Sequence, residues 1–271
     1  MSTLEAIVLG AVQGLTEFLP ISSTAHLRIV PAFFGWDDPG AAFTAITQLG
    51  TMAAVLLFFR ADLLRIAIAW LRSLRDPAAR GEHDAKMGWY IILGTIPISV
   101  FGILFSHQIE TGARSLYLIG CTLIILGLLL QYAESVSTRT RDVDSIDRTD
   151  AIVIGFAQAA ALIPGVSRSG ATLTAGLFRG LKRESAARYS FLLSVPAIVL
   201  SGVFELRKVG EGGGPGAAST ALATIIAFVV GYLAIAFFLR YLVTHTVTLF
   251  VVYRVVLGAL VLVLASAGAI S

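Results

Sequence analysis

Charge is scarce in this chain: Asp, Glu, Lys and Arg make up only 14% of its 271 residues, against 56% hydrophobic. Soluble domains carry about a quarter of their residues as charged side chains, so this composition and a mean hydropathy of +0.84 exclude a soluble fold. Cysteine is scarcer still. The single Cys121 cannot close an intrachain disulfide, which removes redox chemistry from consideration, and it reads as a small packing residue. The N-terminus has no basic segment followed by a cleavage site, and its apolar stretch is expected to belong to the mature protein. The net charge of +3 does not point to nucleic acid, because membrane proteins acquire it by retaining Lys and Arg in cytoplasmic loops.

Long apolar runs are what the chain has instead. Those at 41–59, 88–105, 115–132, 189–206, 219–239 and 247–265 approach the roughly 20 helical residues that cross a hydrocarbon layer. They are continuous rather than alternating, which favours helices over a transmembrane barrel. The connection from Arg60 to Lys86 holds Arg65, Arg72, Arg75 and Arg80 and is assigned to the cytoplasm by the positive-inside rule. Alternation then puts the loop around 107–114 outside, 133–150 inside, 210–216 outside and 240–245 inside. The cluster Lys182, Arg183 and Arg188 reads as a cytoplasmic anchor facing anionic lipid.

Two segments, 4–30 and 151–178, begin apolar and are then broken by Pro, Ser, Gly and charge. Such backbone is tolerated at membrane depth only where it lines a protein cavity, so each is read as a re-entrant helical hairpin. The two match at a constant offset of 145 residues: A-I-V-L-G-A-V-Q from Ala6 parallels A-I-V-I-G-F-A-Q from Ala151, and Ser22 parallels Ser167. The expected fold is one all-α polytopic membrane domain over 1–271, built from repeats at 1–135 and 150–271. Each repeat is a re-entrant hairpin plus three spans, and the odd number of crossings inverts the second relative to the first.

The first hairpin reads Q-G-L-T-E-F-L-P-I-S-S-T-A-H from Gln13 to His26. Gln13 and Glu17 share a helix face, and an acid and an imidazole at membrane depth imply a functional cavity or a buried ion pair. Ser22, Ser23 and Thr24 are open to two readings, a helix cap or contacts to a substrate phosphate. The second hairpin reads P-G-V-S-R-S-G-A-T from Pro164 to Thr172. There Arg168 with Ser167, Ser169, Gly170 and Thr172 has the makings of a phosphate cradle, since guanidinium offers forked donors and Gly admits close backbone approach. Arg168 could instead pair with Glu17 or reach the interface. Arg254, inside the last apolar run, either faces the same cavity or bonds backbone carbonyls, and Gln48 and Gln158 read as helix-bridging amides.

These two motifs, with Q-L-G-T from Gln48, S-F-L-L-S-V-P from Ser190 and the pair Tyr253–Arg254, resemble the bacterial undecaprenyl-diphosphate phosphatase family, also called the bacitracin-resistance proteins, over essentially the whole chain. The resemblance implies hydrolysis of the terminal phosphate of undecaprenyl diphosphate, which recycles the carrier lipid for peptidoglycan, in the cytoplasmic membrane with the active site facing outside. It carries an acidic residue onto Glu17, a hydroxyl nucleophile candidate onto Ser23, an essential histidine onto His26 and a phosphate-binding arginine onto Arg168. Many members have Glu where this chain has Gln13, which argues against a catalytic role there and leaves Gln13, Gln48 and Arg254 as auxiliary candidates. A divalent cation, magnesium or calcium, is the implied cofactor, with Glu17 its only obvious carboxylate. The implied partners are the polyprenyl diphosphate and the bilayer, and a homodimer is compatible with such a chain. The rival reading is a polyprenyl-phosphate transporter or flippase using the same pocket. Membrane phosphatases that follow an S-R motif with a nearby His are disfavoured, because the next histidine after Arg168 is His245.

Overall fold

The computed structural model describes residues 1–105, 115–206 and 216–270. Among them are eleven α-helices: α1 (Thr3–Phe18), α2 (Ser23–Phe34), α3 (Gly40–Phe58), α4 (Arg60–Arg75), α5 (His83–Leu104), α6 (Leu116–Val136), α7 (Arg148–Ala160), α8 (Arg168–Phe178), α9 (Arg183–Leu206), α10 (Ala217–Thr244) and α11 (Thr248–Ser266). The described residues form no strand, only an isolated bridge between Arg141 and Leu181. Helices α5, α6, α10 and α11 are long and apolar enough to cross a membrane. The other two expected spans are also helical. That at 41–59 forms α3, whose apolar part Ala42–Phe58 is shorter, and that at 189–206 is the back of α9, which opens on Arg183, Glu184 and Arg188. The loop expected at 107–114 and residues 210–215 of the glycine-rich stretch lie outside the described residues.

Both interrupted segments fold as helix, turn and helix, and they start alike. Ser2 and Glu5 form a capping box on α1, and Asp147 and Asp150, 145 residues on, form one on α7. The turns end alike too. Ser22 caps α2 at φ 75° with its hydroxyl accepting from Ala25 N–H, and Ser167 caps α8 at φ 72° with its hydroxyl accepting from Gly170 N–H. A positive φ costs a non-glycine residue about 1–3 kcal/mol. It occurs at matching sites because each serine must turn the chain back and cap the returning helix at once.

Packing between the halves is reciprocal. Helix α1 lies along α10, α7 lies along α5, α3 meets α9, and α6 meets α11. Each hairpin is therefore seated on the second long helix of the other half. Close approach explains the matched glycines: a Cβ at Gly10 would stand 2.5 Å from Ala223 O, and one at Gly155 would stand 2.6 Å from Gly94 O. An aromatic core of Phe18, Phe59, Phe191 and Phe238 fills the centre between α1, α3, α9 and α10. Cys121, expected within the packing, instead faces outward, because α6 turns Ile119, Gly120, Thr122 and Leu123 inward.

Three connections meet on one face. His83 Nε2 lies 3.3 Å from Asp144, Arg188 pairs with Asp62, and Lys182 N–H donates to Arg141 O at 2.8 Å. At the foot of the second hairpin the buried Asp150 accepts from Arg141 at 2.6 and 3.1 Å and from Arg179 at 2.6 Å. Burial pushes its carboxyl up, but the hydrogen bonds from Arg141 and Arg179 outweigh that and hold it below the usual aspartate range.

Candidate active site

The ends of α1, α2 and α8 meet at Glu17, which is 5% exposed. One carboxylate oxygen accepts from Gln13 Nε2 at 3.0 Å and from Ser23 Oγ at 2.6 Å. The other accepts from Gln48 Nε2 at 3.1 Å and from the Arg168 guanidinium. Gln13 stands one helical turn before Glu17, Ser23 opens α2 after the turn, Gln48 reaches over from α3, and Arg168 opens α8 in the other hairpin. Four donors from four helices thus converge on one side chain, and Gln48 bridges α3 to α1 at that carboxylate. Arg168 also donates to Ser194 O, more loosely, at 3.3 Å.

The hydroxyl cradle divides into an inner and an outer part. Ser167 Oγ accepts from Gly170 N–H at 3.1 Å and lies 3.1 Å from Ser169 Oγ. Ser169 donates to Leu19 O at 2.9 Å, tying the second turn to the first. Thr172 donates to Arg168 O at 2.8 Å and lies 2.6 Å from Ser190 Oγ. All three are buried and bonded within the protein. Ser22 is likewise buried, capping Ala25 N–H and lying 3.2 Å from Thr24 Oγ1. Ser23 and Arg168 are partly open, and Thr24 is exposed. Those three form the accessible rim, at two helix N-termini whose first-turn N–H groups have no intrahelical acceptor.

His26 does not reach Ser23. Its Nδ1 lies 2.7 Å from Ser22 O and its Nε2 2.7 Å from the Tyr253 hydroxyl. A carbonyl can only accept, so Nδ1 carries the proton in the neutral ring and Nε2 accepts from Tyr253. The two rings stack at 5.6 Å with an interplanar angle of 8°. The contact joins α2 to α11 across 227 residues, and the Tyr-Arg pair was its only trace in the sequence.

Arg254 is fully buried and takes the carbonyl-bonding alternative. Its guanidinium donates to Pro20 O at 2.9 Å in the first turn, to Gly165 O and Val166 O at 3.0 and 3.1 Å in the second, and to Leu123 O and Thr122 O at 3.1 and 3.4 Å in α6. One rigid fork staples both hairpin turns to a membrane helix. A Cβ at Gly170 would stand 2.8 Å from Arg254 Nη1, so that glycine makes room for the arginine.

The donor set does not form a resident divalent-cation site. Magnesium and calcium need several oxygen ligands. Glu17 is a lone carboxylate already filled by four donors, one a guanidinium, and no group of three His, Cys, Asp or Glu side chains suited to a metal occurs among the described residues.

Residues 6–260 match the family model described as bacitracin resistance protein BacA. The chain is 56% identical over 269 residues to a protein of Nocardioides sp. named undecaprenyl-diphosphatase, covering 99% of this chain and 98% of that one. It is 50% identical to a protein of Thermobifida fusca with the same name, covering 100% and 93%, and 52% identical to one of Mycobacterium sp. (strain KMS), also so named, covering 100% and 99%. The chain belongs to the bacitracin resistance protein BacA family.

Proposed function

We infer that this protein is an undecaprenyl-diphosphate phosphatase that removes the terminal phosphate of the carrier lipid in a bacterial membrane, releasing undecaprenyl phosphate and inorganic phosphate. The names of its relatives support the reaction. The observation that carries it in this chain is the convergence of a hydroxyl and a guanidinium from different hairpins on the carboxylate of Glu17.

The geometry distributes the work. Phosphoryl transfer rests on positioning and on stabilising charge at the phosphoryl oxygens. The terminal phosphate sits on the rim between the N-termini of α2 and α8. Its oxygens displace Ser194 O from Arg168 and take up the open first-turn N–H groups. Ser23 Oγ, or a water in its place, attacks the terminal phosphorus in line. The attacking oxygen passes its proton to Glu17, to which Ser23 already donates. The bond from phosphorus to the bridging oxygen breaks, and its electron pair leaves with the lipid monophosphate. If the attacking oxygen is serine, a water then attacks the phosphoserine phosphorus, the bond from phosphorus to Oγ breaks, protonated Glu17 returns its proton to Oγ, and the water's proton leaves with the inorganic phosphate. This gives Glu17 the base role and leaves His26, bonded to Ser22 O and the Tyr253 hydroxyl, to position the first turn of α2. A divalent cation would be held by the diphosphate rather than by Glu17, and would supply neutralisation of its charge.

The matched caps and reciprocal packing support two inverted repeats. With the basic connections inside, that topology opens the first hairpin to the outer face. Purified protein in detergent is expected to release phosphate from a long-chain polyprenyl diphosphate. Tyr253→Phe, which keeps the stacked ring but removes the hydroxyl, is expected to slow release about tenfold, the value of one buried hydrogen bond. Lipid translocation in reconstituted vesicles without any phosphate release would replace the enzyme with the transporter.

A further inference from the structure

Helix α4 joins two membrane helices and packs against the second of them. Its contacts with α5 fall at the start of that helix. Arg72 pairs with Glu82 and Arg65 Nε lies 2.7 Å from Asp84. Trp70 packs edge-on to Trp89 at 5.8 Å, and Trp89 Nε1 donates to Ser73 Oγ at 3.1 Å. Its bond to α9 is likewise near that helix's start, from Asp62 to Arg188. The helix is therefore held at the first turns of its neighbours, on the face where the basic connections gather.

Its inward side is Ile66, Ala69 and Ser73, all buried. Its outward side is apolar: Leu64, Ile68, Leu71 and Leu74 are 62%, 64%, 54% and 47% exposed, at helical spacing that lines them on one face. Exposed arginines bracket the stripe, Arg60 at its start and Arg75 at its end, with Arg65 and Arg72 along one edge. Among the described residues neither Arg60 nor Arg75 has an acidic partner. The cations expected to anchor the protein on this face are spent elsewhere: Lys182 on Asp142 at 2.8 Å, Arg183 on Glu134 and Arg188 on Asp62.

We propose that α4 lies in the plane of the bilayer surface, with the Leu64–Leu74 stripe among the acyl chains and Arg60 and Arg75 on the phosphates of anionic phospholipids. A long arginine stem suits this position, because it lies along apolar surface while its head reaches the phosphate layer. A second copy of the chain is the wrong occupant. The exposed side of α4 carries arginines and no acid, so pairing it with itself would press like charges together.

The test uses the full chain with Cys121→Ala, carrying a nitroxide label at Ile68→Cys or, as the aqueous reference, at Ser145→Cys. It is placed in nanodiscs of phosphatidylcholine and phosphatidylglycerol. The label at 68 is expected to relax with oxygen and to be shielded from a water-soluble nickel complex, and the label at 145 to show the reverse. Nickel access at 68 equal to that at 145 would overturn the proposal, as would dipolar broadening between labels at 68, which marks a second copy. In a second arm, Arg60→Gln with Arg75→Gln is expected to lower the enrichment of phosphatidylglycerol over phosphatidylcholine in lipid retained by the purified protein, by about fivefold per charge removed. Unchanged enrichment overturns the headgroup contact.

Discussion

The two hairpins share a frame and differ in chemistry. Both are capped by an acid three residues past the cap, both turn through a serine at positive φ, and both are seated through a glycine on a helix of the other half. At equivalent positions, however, the first has Glu17, Ser23 and His26 where the second has Leu162, Arg168 and Ala171. Duplicating a turn that ends on a helix N-terminus yields two electropositive points facing one another. Placing the carboxylate, hydroxyl and imidazole on one and the guanidinium on the other lets a single phosphate be held from one side and attacked from the other.

Exchanging the chemistry at matched positions separates the two hairpins most strongly. Glu17→Gln is expected to lower phosphate release by about a thousandfold, since it removes the proton acceptor and leaves Arg168 without its counter-charge. Leu162→Gln, at the equivalent place, should leave release unchanged. Equal effects of the two would erase the distinction between the hairpins. Next is Arg254→Ala, which strands the carbonyls of both turns. It is expected to cost about 3 kcal/mol of stability together with most activity, and Arg254→Lys should not rescue it, because an ammonium cannot span both turns. Thermal unfolding in detergent beside phosphate release checks both, and a stable, active Arg254→Ala would remove the staple.

A smaller contrast lies at the feet. Glu5 caps in the open, whereas Asp150 is buried between Arg141 and Arg179. Asp150→Asn is expected to cost about 3 kcal/mol, Glu5→Gln under about 1 kcal/mol. Because the folded-state value of Asp150 is depressed, its contribution is fully present above the unfolded value of about 3.9 and is lost only as pH falls through the lower folded value. A loss of unfolding stability between pH 7 and 5 that disappears in Asp150→Asn would contradict that assignment.

The membrane helices could be read in the sequence because apolar length alone demands them, and the hairpins because Pro, Ser and charge have no place in lipid-facing helices. Bonding partners could not. Arg254 in a valine-rich run reads equally as a ligand contact or a structural bond, and its acceptors lie as far away as residue 20. Ser167, Ser169 and Thr172 look like free donors until folding aims them at a cap, a carbonyl and Ser190. The helix at 60–75 read as a polar connection because its arginines mask a stripe that appears only at a period of 3.6 residues. The surface cations at 182–188 looked available for lipid, but the acids that neutralise them are distant in sequence.

Residues 23 and 168 meet on the two oxygens of one carboxylate although 145 positions separate them. In a Cys121→Ala background carrying Ser23→Cys and Arg168→Cys, a short thiol-specific crosslinker followed by proteolysis in the connection at 137–147 tests it directly. The account predicts that the two halves remain joined on a denaturing gel and separate when only one of the cysteines is present. Halves that separate despite both cysteines being labelled would contradict the convergence of the hairpins, and with it the site.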